Sequence, residues 1–259
     1  MAAPTTALDV ADLQRRVQAV YQQVAEEPHR TYHFEMGRKL ALRLGYPADL
    51  LDSLPAEALE SFAGVGYFLD LGTPRAGERV LDLGSGSGTD SFAAATLVGP
   101  SGKVTGVDMT PAQLAKAERL RAASNLDHIR FLDGHIESLP LADGSYDVVI
   151  SNGVINLSAD KAAVFAEVAR VLAPGGRLAI ADIVSERPLA ESITCNAELW
   201  AACIGGAAQI DEYLSTIEKA GLRIETTKDN TAYAFLSGSA RGATESYGIK
   251  SISLLAMKQ

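Results

Sequence analysis

The chain has 259 residues, with 23 Lys+Arg against 32 Asp+Glu and a formal charge of −9 at pH 7. At 47% hydrophobic and 21% charged it is neither disordered nor of low complexity, and a chain this long buries roughly 70–75% of its extended surface. The acidic balance argues against non-specific nucleic-acid binding, and two cysteines cannot make a disulfide framework. No basic-then-apolar leader or run of ~20 apolar residues is visible, so the expectation is a cytoplasmic protein with no membrane and no nucleic-acid partner.

Residues 1–8 read as a tail. From Asp9 to Ala25, Leu13, Val17, Val20 and Val24 recur at helical spacing. A second helix is expected after His33, with Met36, Leu40 and Leu44 on one stripe and Gly45 and Pro47 as stop signals. A short helix over 55–62 precedes a turn through Gly64 and Gly66. Residues 1–74 are therefore expected to form a helical cap on a second unit, residues 75–259.

From Arg79 the pattern changes. Val80–Leu83 is a short apolar run, the helix after the following glycines ends near Gly99, and Lys103–Asp108 is the next strand. Thr110 and Pro111 open a helix that runs to Ser124. Strands are expected over 128–132, 146–151 and 178–183, with a helix over 160–172 stopping before Pro174-Gly175-Gly176. Residues 185–209 read as a helical insertion, followed by a helix over 211–220 and closing strands over 222–227 and 249–257. Apolar strands alternating with helices mean an α/β fold: a Rossmann-like, mostly parallel seven-stranded sheet with helices on both faces. Tyr233, Phe235 and Tyr247 form either an aromatic lid or part of the core of the last strands.

The strongest signal is VLDLGSGSGTD, Val80 to Asp90. Glycines after a first strand permit a tight turn and close backbone approach to a ligand. Here Gly84, Gly86 and Gly88 give G-x-G-x-G, not the G-x-G-x-x-G of dinucleotide enzymes, and Asp82 precedes the turn within the strand. This favours S-adenosylmethionine, whose methionyl ammonium and carboxylate need acceptors and donors such as Ser85 and the turn backbone. Asp82 is placed near that ammonium. Asp90 either reaches it too or stabilises its own helix dipole. Asp108 ends the second strand, where a carboxylate can accept both ribose hydroxyls. Met109 either lies on the adenine face or packs beside the sheet. In the loop Asp133-Gly134-His135-Ile136-Glu137, the N–H of Ile136 can donate to a ring nitrogen and Glu137 can accept from the exocyclic amine. Asn152, at the end of the fourth strand, lies at the expected transfer point.

Among the four histidines, His128 and His135 are poor bases by position. His29 and His33 are four apart on a possible cap helix, with Tyr32 and Phe34 flanking His33, and they either face the site or pack. Trp200 and Cys203 are three apart on an expected helix and either face the cofactor or pack as hydrophobes. The candidates for contact with the acceptor are thus Cys203, Trp200, Asn152 and His33. No metal site is expected.

Taken together, these pieces resemble the class I S-adenosylmethionine-dependent methyltransferases over residues 75–184. SNGVINLSADK (151–161), GHIESLP (134–140), VLAPGGRLAIADI (171–183) and AELWAACIGGA (197–207) are similar to the arsenite methyltransferase branch. The resemblance implies S-adenosylmethionine as cofactor, S-adenosylhomocysteine as product, and Tyr21 over the methionyl end. That branch binds trivalent arsenic through several thiolates. Cys203 matches one of them, Gly153 stands where another is expected, and residues 1–80 hold no cysteine. The expectation is in-line methyl transfer to a soft or small nucleophile, a thiol or other chalcogen compound, by a monomer or homodimer. Alternatives are a natural-product O- or N-methyltransferase, arsenite methylation with fewer cysteines, or a non-catalytic cofactor-binding module. A nicotinamide oxidoreductase would want a G-x-G-x-x-G turn and a catalytic pair, which are missing.

Overall fold

The computed structural model describes residues 8–196, 199–200, 204–236 and 238–259. The tail expected at the start falls, except for Leu8, outside these residues. The cap consists of α1 (Val10–Glu26), α2 (Arg38–Leu44), α3 (Ala48–Asp52) and α4 (Ala56–Glu60). Asp9 caps α1 by accepting from the N–H of Asp12 at 3.0 Å, and Gly45, at φ 103°, ends α2 in the left-handed conformation. One expectation is corrected here, and one element was not foreseen. Helix α2 starts only at Arg38, so residues 27–37 are irregular and His29 and His33 share no helix face. The single turn α3 sits between Pro47 and Pro55 and is too short to show a period.

The strands are β1 (Arg79–Leu83), β2 (Lys103–Asp108), β3 (Ile129–Asp133), β4 (Tyr146–Asn152), β5 (Leu172–Ser185), β6 (Ala208–Gln209), β7 (Leu222–Asp229) and β8 (Lys250–Lys258). Their order is β3-β2-β1-β4-β5-β8-β7. The first five run parallel, and β8 is antiparallel to both β5 and β7. The two-residue β6 adds an eighth strand to the expected seven by pairing with Val184 and Ser185 at the end of β5.

Helices α5 (Thr89–Val98), α6 (Pro111–Ala123), α7 (Lys161–Val171), α8 (Glu191–Thr194), α9 (Ile210–Lys219) and α10 (Gly238–Tyr247) complete the described elements, with a 3₁₀ turn over Ile155–Leu157. The period of two along each strand divides the interior into two cores. Val80, Val148 and Ile150 pack with α5 and the cap, whereas Leu81, Leu83 and Val149 pack with α7 and α9. The cap thus covers one sheet face, the face that Asp82 shares with Val80. Among the described residues, no helix is long and apolar enough to cross a membrane.

Candidate active site

Strand order reverses between β1 and β4, and ligands of open α/β sheets bind outside the carboxyl ends of the strands at such a point. A pocket lies there. Its floor is the β1 turn, Asp82 to Ser87, and its sides are Asp108, Met109 and residues 134–137. Residues 152–154, Leu157 and Ser158 close a third side, while Gln14, Val17, Tyr21, Phe62 and Ala63 of the cap roof it.

The turn needs its glycines. Gly84 has φ +66°, and a Cβ there would strike the Val154 side chain. Gly86 has φ +52°, and its N–H donates to Asp108 Oδ2 at 2.9 Å. Asp108 Oδ1 accepts from the N–H of Thr110 at 2.8 Å, and the Thr110 hydroxyl and the Met109 N–H also favour the charged form of this carboxyl. Burial pushes the Asp108 carboxyl above its ordinary range, against the pull of those N–H groups.

Two further carboxylates share the floor. Asp82, 2% exposed, accepts from Ser91 Oγ at 2.6 Å. Burial, then the neighbouring Asp90, holds it well above the usual carboxylate range. Asp90 accepts from Tyr46 Oη at 2.5 Å and from Asn152 Nδ2 at 3.1 Å, and burial raises it to about 6. The amide of Asn152 is fully committed. Its Oδ1 accepts from the N–H groups of Val65 and Gly66, and its Nδ2 also donates to Tyr46 Oη and the Gly66 carbonyl. Asn152 therefore lines the pocket while fastening the cap segment 64–66 to β4.

Sequence reasoning missed Tyr46 and Gln113. Buried Gln113 accepts from Ser87 Oγ at 2.5 Å and donates to the Tyr21 carbonyl at 2.8 Å, tying the glycine turn to α1. The signal for it was a polar residue on the buried stripe Gln113, Ala117, Leu120 of α6. Tyr21 itself lines the pocket, with its ring stacked on Phe34 at 6.1 Å. On the far side Ser158 Oγ donates to Glu137 Oε1 at 2.5 Å.

The acceptor candidates are distributed differently. Trp200 is absent from the pocket wall. Its indole N–H donates to the Thr194 carbonyl at 2.7 Å, and its ring packs on Gly205 and Gly206. His33 is also absent from the wall and packs edge-on against Phe34 at 4.6 Å, because the irregular 27–37 segment turns it aside. Cys203 lies outside the described residues. Cys195 is half-buried just past α8.

The donor set fits S-adenosylmethionine. Ser85 Oγ is buried on the pocket floor with no hydrogen-bond partner among the described residues, so it is a donor without an acceptor. Asp82 and Asp90 are acids beside each other on the floor, and Asp108 is a third acid at its side. Acids for an ammonium, a carboxylate for a diol and a glycine turn without phosphate ligands match that molecule group by group.

Comparison with known proteins agrees. The family described as "Methyltransferase domain" matches residues 74–221. This chain belongs to the class I S-adenosylmethionine-dependent methyltransferases. It is related to the arsenite methyltransferases: that of Halobacterium salinarum is 40% identical over 196 residues, covering 75% of this chain and 50% of the relative. The arsenite methyltransferase of Aquipseudomonas alcaligenes is 47% identical over 148 residues, covering 53% and 42%. The crystal structure of an arsenic(III) S-adenosylmethionine methyltransferase from Chlamydomonas reinhardtii superposes with a TM-score of 0.66 at 32% identity, covering 87% of this chain and 75% of that one. The chain spans about half the length of the curated relatives it matches.

S-adenosylmethionine is the cofactor of this methyltransferase. Gly153, which stands where the resemblance leads one to expect a cysteine, has φ +72°, and a Cβ built on it meets Val65 Cγ1 at 3.0 Å. The wall at this point is shaped for a residue without a side chain.

Proposed function

We propose that this methyltransferase transfers a methyl group to a small, soft acceptor, a thiol or other chalcogen compound, and that its pocket is not a thiolate cage. The single observation that carries this reading is Gly153 with Val65 packed over it: a left-handed, crowded position opposes a cysteine side chain just where the pocket passes from cofactor to acceptor.

The roles follow from the geometry. Asp108 holds the ribose hydroxyls, Asp82 and Asp90 the methionyl ammonium, and Ser85 Oγ with the turn N–H groups its carboxylate. Ile136 N–H and Glu137 read the adenine edge beside Met109. The bound cofactor supplies an electrophilic methyl on a sulfonium. Tyr21, Phe62 and Val154 exclude water, and Asn152 keeps the 64–66 wall in place, so that the acceptor is aligned and desolvated. A soft nucleophile needs no strong general base, and none is required of His33, Trp200 or Cys203. Residues 1–74 act as the cap of the 75–259 unit, in a cytoplasmic monomer or homodimer.

A second reading, arsenite methylation with fewer thiolates, is supported by the names of the relatives at 40–47% identity. The test is S-adenosylhomocysteine production by purified, metal-free protein offered arsenite with glutathione, sulfide, methanethiol, selenide, phenols or amines. Turnover of a thiol or selenide is expected. Arsenite turnover that is lost in Cys203→Ser would establish the second reading, and turnover of phenols or amines alone would move the acceptor to an oxygen or nitrogen compound. No turnover and no cofactor binding would overturn the enzyme reading.

A further inference from the structure

Lysine at the first position of a helix is electrostatically misplaced, because the helix dipole presents positive charge there. Lys161 opens α7 directly after the capping residue Asp160. Its side chain is half-buried, and among the described residues its ammonium lies within ion-pair distance of no carboxylate. Nζ donates to the carbonyls of Ser158 at 2.9 Å and Asn156 at 3.3 Å, and it lies 5.0 Å from the centroid of the Trp200 ring. Burial lowers it to about 8, although Asp182 and then Glu137 pull it upward. A local rule broken at such cost marks a residue kept for something other than helix stability.

The neighbours show what it joins. The Ser158 hydroxyl donates a hydrogen bond to Glu137, and both residues line the pocket. On the opposite side Trp200, 6% exposed, belongs to the 185–209 insertion. Gly206 lies so close to the Asn156 carbonyl that no side chain fits there. Trp200 and Gly206 are therefore seated on the 155–158 turn, and the Lys161 ammonium lies between the indole face and the carbonyls of that same turn.

We propose that Lys161 is a positioning residue that clamps the insertion, through Trp200, to the turn whose Ser158 holds Glu137 at the pocket, so that seating the insertion and binding the cofactor are one event. This rests on the reading of the pocket as the cofactor site. Cation–π contact with a desolvated indole supplies enough attraction for such coupling, and the rigid turn carries it to Glu137.

Trp200 is the chain's sole tryptophan and reports on the clamp directly. S-adenosylhomocysteine is titrated into wild type, K161M, K161R and W200F, with the Kd read by calorimetry and, in the first three, Trp200 emission followed. In the wild type the emission changes on binding. K161M raises the Kd about fivefold and loses the emission change, whereas K161R keeps both within about twofold. W200F raises the Kd to the same extent, and K161M/W200F is no worse than either single variant.

K161M with a wild-type Kd and a wild-type emission change overturns the clamp. So does a raised Kd with the emission change intact, which confines the loss to the pocket, and so do additive losses in the double variant. Should K161M fail to fold, W200F against K161R decides alone: an unchanged Kd in W200F overturns the clamp. A wild type that does not bind S-adenosylhomocysteine removes the pocket reading and the clamp with it.

Discussion

The two faces of the sheet carry nearly the same polar device. On the cap face Tyr46 Oη donates to Asp90 at 2.5 Å, and on the other Tyr213 Oη donates to Asp182 at 2.6 Å. Both tyrosines are buried, both carboxyls are raised to about 6 by burial, and in both the tyrosine hydrogen bond opposes that rise. Their surroundings differ. Asp90 has a second acid, Asp82, beside it and lines the pocket, whereas Asp182 has the Lys161 ammonium nearby, accepts from the N–H groups of Ile183 and Asn156, and lies off the pocket. The same pair is thus one of two adjoining acids on the pocket floor on one face and a closed structural joint on the other. The next charge decides which, not the tyrosine or the burial.

That contrast breaks most easily at the acids. On the proposed role of Asp82 at the methionyl ammonium, D82N is expected to weaken S-adenosylhomocysteine binding by at least about 30-fold, since a buried carboxylate opposite a cation is lost. D182N should leave the Kd within about threefold and lower the denaturant midpoint instead. Equal effects on binding would erase the distinction. Next in size are the tyrosines. Y46F and Y213F each remove a donor from a buried carboxyl, for a loss of about 1–3 kcal/mol in urea unfolding. Only Y46F should also raise the Kd, by about fivefold, because Tyr46 braces Asn152 as well as Asp90.

The pH response separates the faces more finely. A carboxyl raised in the folded state contributes stability that is complete below its unfolded value of 3.8 and is lost as pH rises through about 6. D90N and D182N should therefore both gain on wild type in unfolding free energy as pH climbs from 4 to 7. Binding of an ammonium draws only on the ionised floor acids. The wild-type Kd should accordingly weaken about three- to fivefold from pH 7.5 to 5.5, a slope that D90N flattens and D182N keeps. The smallest effect is on exchange: saturating S-adenosylhomocysteine should slow amide exchange over residues 10–40. Unchanged exchange there would mean that the cap does not respond to its pocket.

Much of this was legible in the chain. The strand Lys103–Asp108 forms with both predicted ends, because Gly102 and the Thr110-Pro111 start of α6 punctuate it locally. The glycine turn was legible for the same reason: its backbone demands are written in residue type. Directions across the fold were not. Spacing put Trp200 and Cys203 on one helical face but could not say which side of the insertion that face meets, and the ring of Trp200 meets Lys161. His33 failed because its expected helix starts five residues later. Gln113 and Tyr46 act through partners 26 and 44 positions away, beyond the reach of any local pattern. Helix α10 covers a stretch where only the aromatics had been noticed, and it lies between β7 and β8.

The way α1 is held carries a last consequence. Its final turn leaves carbonyls without helical partners, and neighbours collect two of them: Ser61 Oγ takes that of Val24 at 3.1 Å and Lys116 that of Ala25 at 3.4 Å, while one turn earlier Gln113 donates to the Tyr21 carbonyl as well. Each of these grips falls on the main chain, which is the same whatever residue occupies the position. Gln14, Val17 and Tyr21 are the α1 side chains that line the pocket, and of these Val17 is also buried in the core and Tyr21 stacks on Phe34. A substitution of Ser61, Lys116 or Gln113 therefore loosens α1 without touching any α1 side chain, so the seat of this helix is set by residues that lie far from it in the chain.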